Sequence, residues 1–347
     1  MKHLETTLKI LSIAVLPLFF LSCAAENKGR KPDEKDAGAD ADVDGDADSD
    51  ADGDVDDAGN DGSMKTGGCS KMDILFVIDN SPSMVEEQTN LTQNFPKFIE
   101  VLDNYKSPIG THIEYRVGVT TTAVNRTFNE KIFGTTNPIP ITTTGADGKL
   151  LGKANCGFSN PWIDGPGTNV AQDFSCAAMV GDNGPGYEMP LAAMENALDK
   201  YSAPDGGPNA GFYRKDENSL LVVVIITDED DCSVEPGGIM ALTVAGVTDC
   251  DETKSEKLYV LEDVKSFLDN LTGGKGRYVM TAIADPGPAS CDSAFGSAIC
   301  AKRLVKFVKL FDTYGVFGNI CDGDLSLCLG DALDTMQLAC NDFPPLE

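Results

Sequence analysis

Short apolar runs alternate with amphipathic stretches along most of this chain. The apolar runs predict strands at residues 74–78, 115–121, 220–226 and 278–284. The amphipathic stretches predict helices at residues 91–102, 189–201, 254–271, 300–311 and 324–338. This alternation predicts an α/β fold with a doubly wound, mostly parallel central sheet flanked by helices.

The globular part of the chain begins near residue 64. Residues 64–347 have an ordinary apolar content, and they are numerous enough to form one large core. Within them, residues 124–185 are rich in Gly, Pro, Thr and Asn. Because these residues favour turns and loops, this segment predicts a long, loop-rich insertion.

The N-terminus has the features of an export signal. Lys2 and Lys9 precede an apolar run at residues 10–21, which is too short to span a bilayer but suits a signal-peptide core. The run ends at Ser22 and Cys23, which resemble the lipobox of bacterial lipoproteins. The resemblance implies a signal peptide over residues 1–22 and a lipid anchor on Cys23. The residue that follows, an alanine, favours the outer membrane; ordinary cleavage and a retained anchor are the alternatives.

An acidic segment separates Cys23 from the globular part. Residues 33–62 are mostly Asp, Ala and Gly, so residues 23–63 predict a disordered, self-repelling linker. Two D-x-D-x-D-G repeats, at 40–45 and 48–53, resemble the start of an EF-hand loop, but both lack the glutamate that closes such a loop. A low-complexity spacer is therefore favoured over weak calcium binding.

The charge balance excludes several classes of function. The chain has 55 Asp and Glu against 27 Lys and Arg, a formal charge of -28. Such a surface repels phosphate backbones, so we expect no nucleic-acid partner. With two histidines and no HExxH, CxxC or GxxxxGK[ST] motif, nothing supports a metalloprotease, a zinc ribbon or a P-loop enzyme.

The cysteine content points to an oxidising compartment. The chain has 11 cysteines. Ten remain once Cys23 is set aside, and an even number allows all of the remaining cysteines to form disulfides with one another. Closeness in sequence favours the pairs Cys156–Cys176, Cys232–Cys250 and Cys291–Cys300. The other cysteines have no assignment.

Three of the predicted strands end close to an acidic residue: Asp79 and Asp285 follow their strands directly, and Asp228 follows Thr227 after the strand at 220–226. In open α/β sheets, ligands bind at the carboxyl ends of the strands. Carboxylates gathered at that edge suit a hard divalent cation, which prefers oxygen ligands.

The loop after the first strand carries a specific motif. Residues 79–83 read DNSPS, a D-x-S-x-S pattern, and a T-D pair at 227–228 follows the strand at 220–226. In these features the sequence resembles the von Willebrand factor type A domain over about residues 70–340. In that family, the motif opens a metal-ion-dependent adhesion site, where a partner's acidic side chain completes the coordination of a divalent ion.

The resemblance implies a metal site formed by Asp79, Ser81, Ser83 and Asp228. It favours Mg²⁺ or Mn²⁺, with Ca²⁺ as an alternative, and implies a protein or surface ligand that offers an acidic group to the metal. A turn held by Asp79 and Ser81, together with a capping box between Ser83 and Glu86, is the purely structural alternative.

One ligand of the family's site has no match in this sequence. The family places a threonine in a middle loop ahead of a helix, whereas residues 180–188, the matching loop, contain none. Asp182 is the nearest replacement, Thr168 is an upstream alternative, and Asp182 can equally be a turn residue.

Together these observations predict an exported, lipid-anchored binding protein that is not an enzyme. Its acidic linker would carry a disulfide-rich domain that binds a protein or surface ligand through a divalent cation. A metal-independent structural protein of the envelope is one alternative. A metal-assisted hydrolase is another; it needs a base near the ion, for which Asp230, Asp231 or Asp285 could serve.

Overall fold

The computed structural model describes residues 68–107, 110, 112–132, 137–215, 218–242 and 248–344. The predicted signal peptide, the acylated Cys23 and the acidic linker lie outside these residues. In the part of the chain that is described, no helix has both the length and the apolar character needed to cross a membrane.

Strands and helices are interspersed along the described chain. The strands are β1 (Lys71–Ile78), β2 (Glu114–Thr121), β3 (Arg126–Ile132), β4 (Ile139–Thr143), β5 (Ile163–Gly165), β6 (Ser219–Ile226), β7 (Val234–Leu242), β8 (Thr248–Asp249), β9 (Glu256–Leu258), β10 (Tyr278–Ala284), β11 (Cys291–Ser293), β12 (Gly296–Ala298) and β13 (Gly315–Asn319). The helices are α1 (Val85–Asn104), α2 (Gly152–Cys156), α3 (Val170–Ala178), α4 (Pro190–Glu195), α5 (Leu261–Thr272), α6 (Lys302–Lys309) and α7 (Leu325–Asn341).

A six-stranded sheet lies at the centre, in the order β13-β10-β6-β1-β2-β5. Its neighbours are parallel except for β5, which runs antiparallel to β2. This arrangement confirms the predicted α/β class and its mostly parallel sheet. Because β1 is in register with β2 and β6 along its whole length, the carboxyl ends of these three strands meet at one edge.

The sheet separates two cores, and alternate residues of β1 point into each. Ile74, Phe76 and Ile78 face the core beneath α1, α3 and α7. Leu75 and Val77 face the other core, on the side of α4, α5 and α6. A strand buried on both faces must be apolar throughout, which explains the unbroken run that predicted it.

The predicted elements lie close to the observed ones, with one correction. The helix expected at 254–271 begins only at Leu261. The preceding residues form β9, which pairs with β7 and places Leu258 opposite Val234. Backbone pairing with the edge of another strand therefore replaces the first turns of that helix.

The segment predicted as an insertion, 124–185, contains β3, β4, α2, β5 and α3. β3 and β4 join β7, β8 and β9 in a second, five-stranded sheet. α3 packs on α1, where Phe174 stacks on Phe95.

Four disulfides join described residues. Cys156–Cys176 and Cys232–Cys250 confirm two predicted pairs. The predicted pair Cys291–Cys300 is wrong, because Cys291 is bonded to Cys321. The hairpin of β11 and β12 brings the chain back beside Cys291, with Ala298 opposite it, and Cys300 then pairs with Asp285 through its backbone.

The fourth disulfide, Cys69–Cys340, joins a residue two positions before β1 to the end of α7. Cys328 is a free thiol. The cysteines that follow Cys23 therefore do not all pair with one another.

Candidate metal centre

Asp79 lies at the junction of three strand ends. Its carboxylate is fully buried; Oδ1 accepts a hydrogen bond from Ser81 N at 2.7 Å and Oδ2 accepts one from the Thr227 hydroxyl at 2.7 Å. The Thr122 hydroxyl, which follows β2, lies 3.5 Å from Oδ1. Burial raises the pKa of Asp79 to about 6, against the opposing effect of its hydrogen bonds.

The two serines of the motif lie beside each other. Their hydroxyl oxygens are 3.0 Å apart, with Ser81 buried and Ser83 exposed. The turn that Asp79 forms with Ser81 is present. The capping box predicted as an alternative for Ser83 does not form, because α1 begins after Met84 and has no side-chain cap.

Asp228, at the end of β6, has an incompletely satisfied carboxylate. It is 3% exposed, and its Oδ1 has no hydrogen-bond partner among the described residues. The side chain of Ser83 lies near enough to lower the pKa of Asp228. Burial, followed by the charge of Asp79, raises the pKa of Asp228 to about 8. The structure thus places Asp79, Ser81, Ser83 and Asp228 close together.

The middle loop packs against the motif without bringing Asp182 to it. Gln88 donates to the backbone oxygens of Asp79 and Gly181, at 2.9 and 2.8 Å. Gly184 N donates to Asn80 O at 2.7 Å, and a Cβ at Gly184 would meet that oxygen at 2.6 Å, so this approach requires glycine. The carboxylate of Asp182 is exposed and accepts from Asn183.

The carboxylate that this loop does bring to the site is that of Glu188. It is fully buried, and neither of its oxygens has a hydrogen-bond partner among the described side chains and backbone. Burial and then the charge of Asp79 raise its pKa well above the usual range. Glu188 was not predicted; its position directly before the helix expected at 189–201 was the available signal.

Further acidic groups surround these residues. Glu87, on α1, is buried, and its Oε2 has no hydrogen-bond partner within the described chain. The charge of Glu229 raises the pKa of both Asp79 and Asp228. Among the described residues, no three His, Cys, Asp or Glu side chains are close enough to hold a metal by themselves. A cation at this position would therefore also need the hydroxyl oxygens.

The three aspartates named as bases for a hydrolase are engaged elsewhere. Asp230 accepts from the backbone of Arg303 and Leu304 at the start of α6. Asp231 forms a buried ion pair with Arg303. Asp285 accepts from the backbone of its own loop, at Gly287 and Cys291.

Comparisons with known proteins give a likeness of fold. No family model matches the sequence, and no curated protein matches it. Solved structures that match include proximal thread matrix protein 1 from the mussel byssus, at 13% identity and a TM-score of 0.38, covering 78% of this chain and 49% of that one. Another structure of the same protein matches at 13% identity and a TM-score of 0.37, covering 79% of this chain and 47% of that one.

The pilus adhesin SpaC from Lactobacillus rhamnosus GG, in its open conformation, matches at 11% identity and a TM-score of 0.39, covering 77% of this chain and 30% of that one. The chain thus spans about half of the byssus protein and less than a third of the adhesin. At such identities the likeness concerns the general fold alone.

Proposed function

We propose that this chain is an exported binding protein whose α/β domain holds a divalent cation at the carboxyl ends of β1 and β6 and binds a protein or surface ligand through it. Asp79, Ser81, Ser83 and Asp228 would hold the ion, Mg²⁺ or Mn²⁺ in preference to Ca²⁺. A bound cation there supplies an electrophilic centre with room for a ligand oxygen. The von Willebrand factor type A family remains the resemblance on which this mechanism is based.

The observation that carries the proposal is the unsatisfied Oδ1 of Asp228. A buried carboxylate oxygen without a donor costs free energy unless a charge compensates it. The charge of Asp79 raises the pKa of Asp228, and the charge of Glu229 raises the pKa of both carboxylates. A divalent cation supplies the missing positive charge, and the hydroxyls of Ser81 and Ser83 supply neutral ligands.

The disulfides support export. Stable disulfides form in oxidising compartments, and the four between described residues are typical of an extracellular or envelope protein. Attachment to the membrane through Cys23, with the acidic linker as a spacer, remains a proposal from the sequence. Cys23→Ser should move the chain from the membrane fraction to the soluble fraction; retention in the membrane would contradict the lipid anchor.

Thermal unfolding of the full chain in Mg²⁺, Mn²⁺, Ca²⁺ or EDTA tests the cation site. An ion that binds only the folded chain raises the midpoint as its concentration rises. Asp79→Asn and Ser83→Ala should reduce this rise. Because both variants retain the acidic linker, any rise that remains in them measures weak cation binding by the linker. An equal rise in all three proteins, or none in the unaltered chain, would contradict the proposal and favour the metal-independent structural alternative.

A further inference from the structure

We propose that Glu188 supplies a third carboxylate charge to the cation, which makes the site bind metal more tightly and accept acidic donors from a partner less readily. This inference rests on the proposed cation site. It assigns the place of the family's missing threonine to Glu188 and not to Asp182, the residue of the same loop that the sequence predicted. It also changes the class of ligand that the site would take.

The backbone fixes Glu188 between the strand ends that carry the site. Its carbonyl accepts from Cys232 N at 2.7 Å, in the loop that follows Asp228. The next amide, Met189 N, donates to Thr122 O at 3.2 Å, and Thr122 N in turn donates to Ile78 O at 3.2 Å. Glu188 is therefore tied to the loops after β1, β2 and β6, which are the loops a cation would join.

The side chain points into this junction and finds no compensation there. Glu188 is 0% exposed, and both carboxylate oxygens are without hydrogen-bond partners among the described residues. Its strongest charged neighbours, Asp79 and Glu229, are also acidic. An uncompensated buried carboxylate beside a second carboxylate is costly, and a cation bound by Asp79 would relieve that cost for both.

The charges then determine what the bound ion can attract. Asp79, Asp228 and Glu188, with Glu188 acting through a water, would carry three negative charges against the two positive charges of a divalent cation. A site with a hydroxyl in place of Glu188 would hold one negative charge fewer, and it would therefore repel an added anion less. With Glu188 present, a partner's neutral oxygen, such as a carbonyl or hydroxyl, is the favoured donor.

Manganese is the probe for a direct test on the full chain. Free Mn²⁺ is measured by its electron paramagnetic resonance signal, and water bound to the protein-held ion by water proton relaxation. We expect Glu188→Gln to weaken Mn²⁺ binding about tenfold or more, within the range found when groups around a metal are removed. Glu100→Gln, an exposed change on α1, should bind as the unaltered chain does.

Acetate then reports on acidic donors. It should leave the relaxation of the unaltered Mn²⁺-loaded chain unchanged and should displace water from Glu188→Gln and Glu188→Thr. The unfolding midpoint in EDTA should be equal or higher in Glu188→Gln, since a buried uncompensated charge is removed, which also shows that the variant folds. A structural role for Glu188 would lower that midpoint instead.

Two failures are distinguishable. If the unaltered chain binds Mn²⁺ no better than Asp79→Asn does, the proposed cation site itself is wrong. If the unaltered chain binds better than Asp79→Asn but Glu188→Gln binds equally well, or acetate acts alike on both, the cation site stands and the role of Glu188 is overturned.

Discussion

Some buried carboxylates of the described chain are compensated by an arginine, and others are not. Asp73 and Asp231 are fully buried, and each faces an arginine, Arg214 and Arg303. At the carboxyl ends of β1 and β6, the charges that raise the pKa values of Asp79, Glu188 and Asp228 belong to other acidic groups. A buried carboxylate that lies near other acids instead of facing an arginine is the residue-scale property that distinguishes the candidate site from these two ion pairs.

Glu195, at the end of α4, gives a pH-dependent prediction away from that site. Burial and then the charges of Glu235 and Asp231 raise its pKa to about 7, against the opposing effect of Arg126. The folded chain thus holds a proton that the unfolded chain releases at lower pH, so this residue's contribution to the free energy of unfolding falls as the pH rises from about 4.5 to 7.

Glu195→Gln removes this titration. Its midpoint of thermal unfolding, relative to the unaltered chain, should rise more at pH 8 than at pH 5. A difference between the two proteins that is the same at both pH values would contradict the raised pKa.

The sequence located four of the site's residues because strand ends and the D-x-S-x-S motif are local patterns. It missed Glu188 because burial and the direction of a loop side chain depend on contacts with Thr122 and Cys232, which are distant in sequence. Asp182 was preferred on residue type alone, and its exposure became apparent only in the folded loop.

Elements with a strong apolar pattern were predictable, whereas short edge elements were not. The predicted strand at 278–284 matches β10, because a central strand needs apolar residues on both faces. β9 and β13 were missed, since their short segments, EKL and GVFGN, take their conformation from pairing with β7 and β10. The disulfide between Cys291 and Cys321 was missed because it too depends on contacts between segments that are distant in sequence.

At the scale of elements, the pair Asp73–Arg214 anchors the loop before β6 to β1. Arg214 Nε donates to Asp73 Oδ1 at 2.9 Å, and the Ser219 hydroxyl donates to Oδ2 at 2.7 Å. Arg214→Met would leave Asp73 buried without its cation. We expect a loss of about 3–5 kcal/mol in the free energy of unfolding, measured by urea denaturation.

The exposed pair Lys275–Asp312 provides the matched control. Lys275→Met should leave the urea midpoint nearly unchanged, because water and salt screen an exposed pair. Equal losses in the free energy of unfolding for the two substitutions would show that the burial of Asp73 does not determine how much Arg214 contributes to stability.

At the scale of the whole molecule, Cys69–Cys340 closes the described domain by joining positions 271 residues apart. Replacing both cysteines with serine should lower the free energy of unfolding by about 3–5 kcal/mol, since a cross-link restricts the unfolded chain more as the loop lengthens. Replacing Cys156 and Cys176, which are 20 residues apart, should cost less. Denaturant unfolding of both double variants measures the difference, and the reverse order would contradict this explanation.

The place of β1 has a mechanical consequence. The strand runs from Lys71, next to Cys69, to Ile78, next to the candidate site, and is bonded along its whole length to β2 and β6. A pull between a ligand at the site and the chain before residue 68 would act along β1. Such a force shears two rows of hydrogen bonds at once instead of opening them one by one, and the disulfide shares the load with α7. If the chain is attached through its N-terminus and binds its ligand at this site, as proposed, the domain would resist traction along the line between the two.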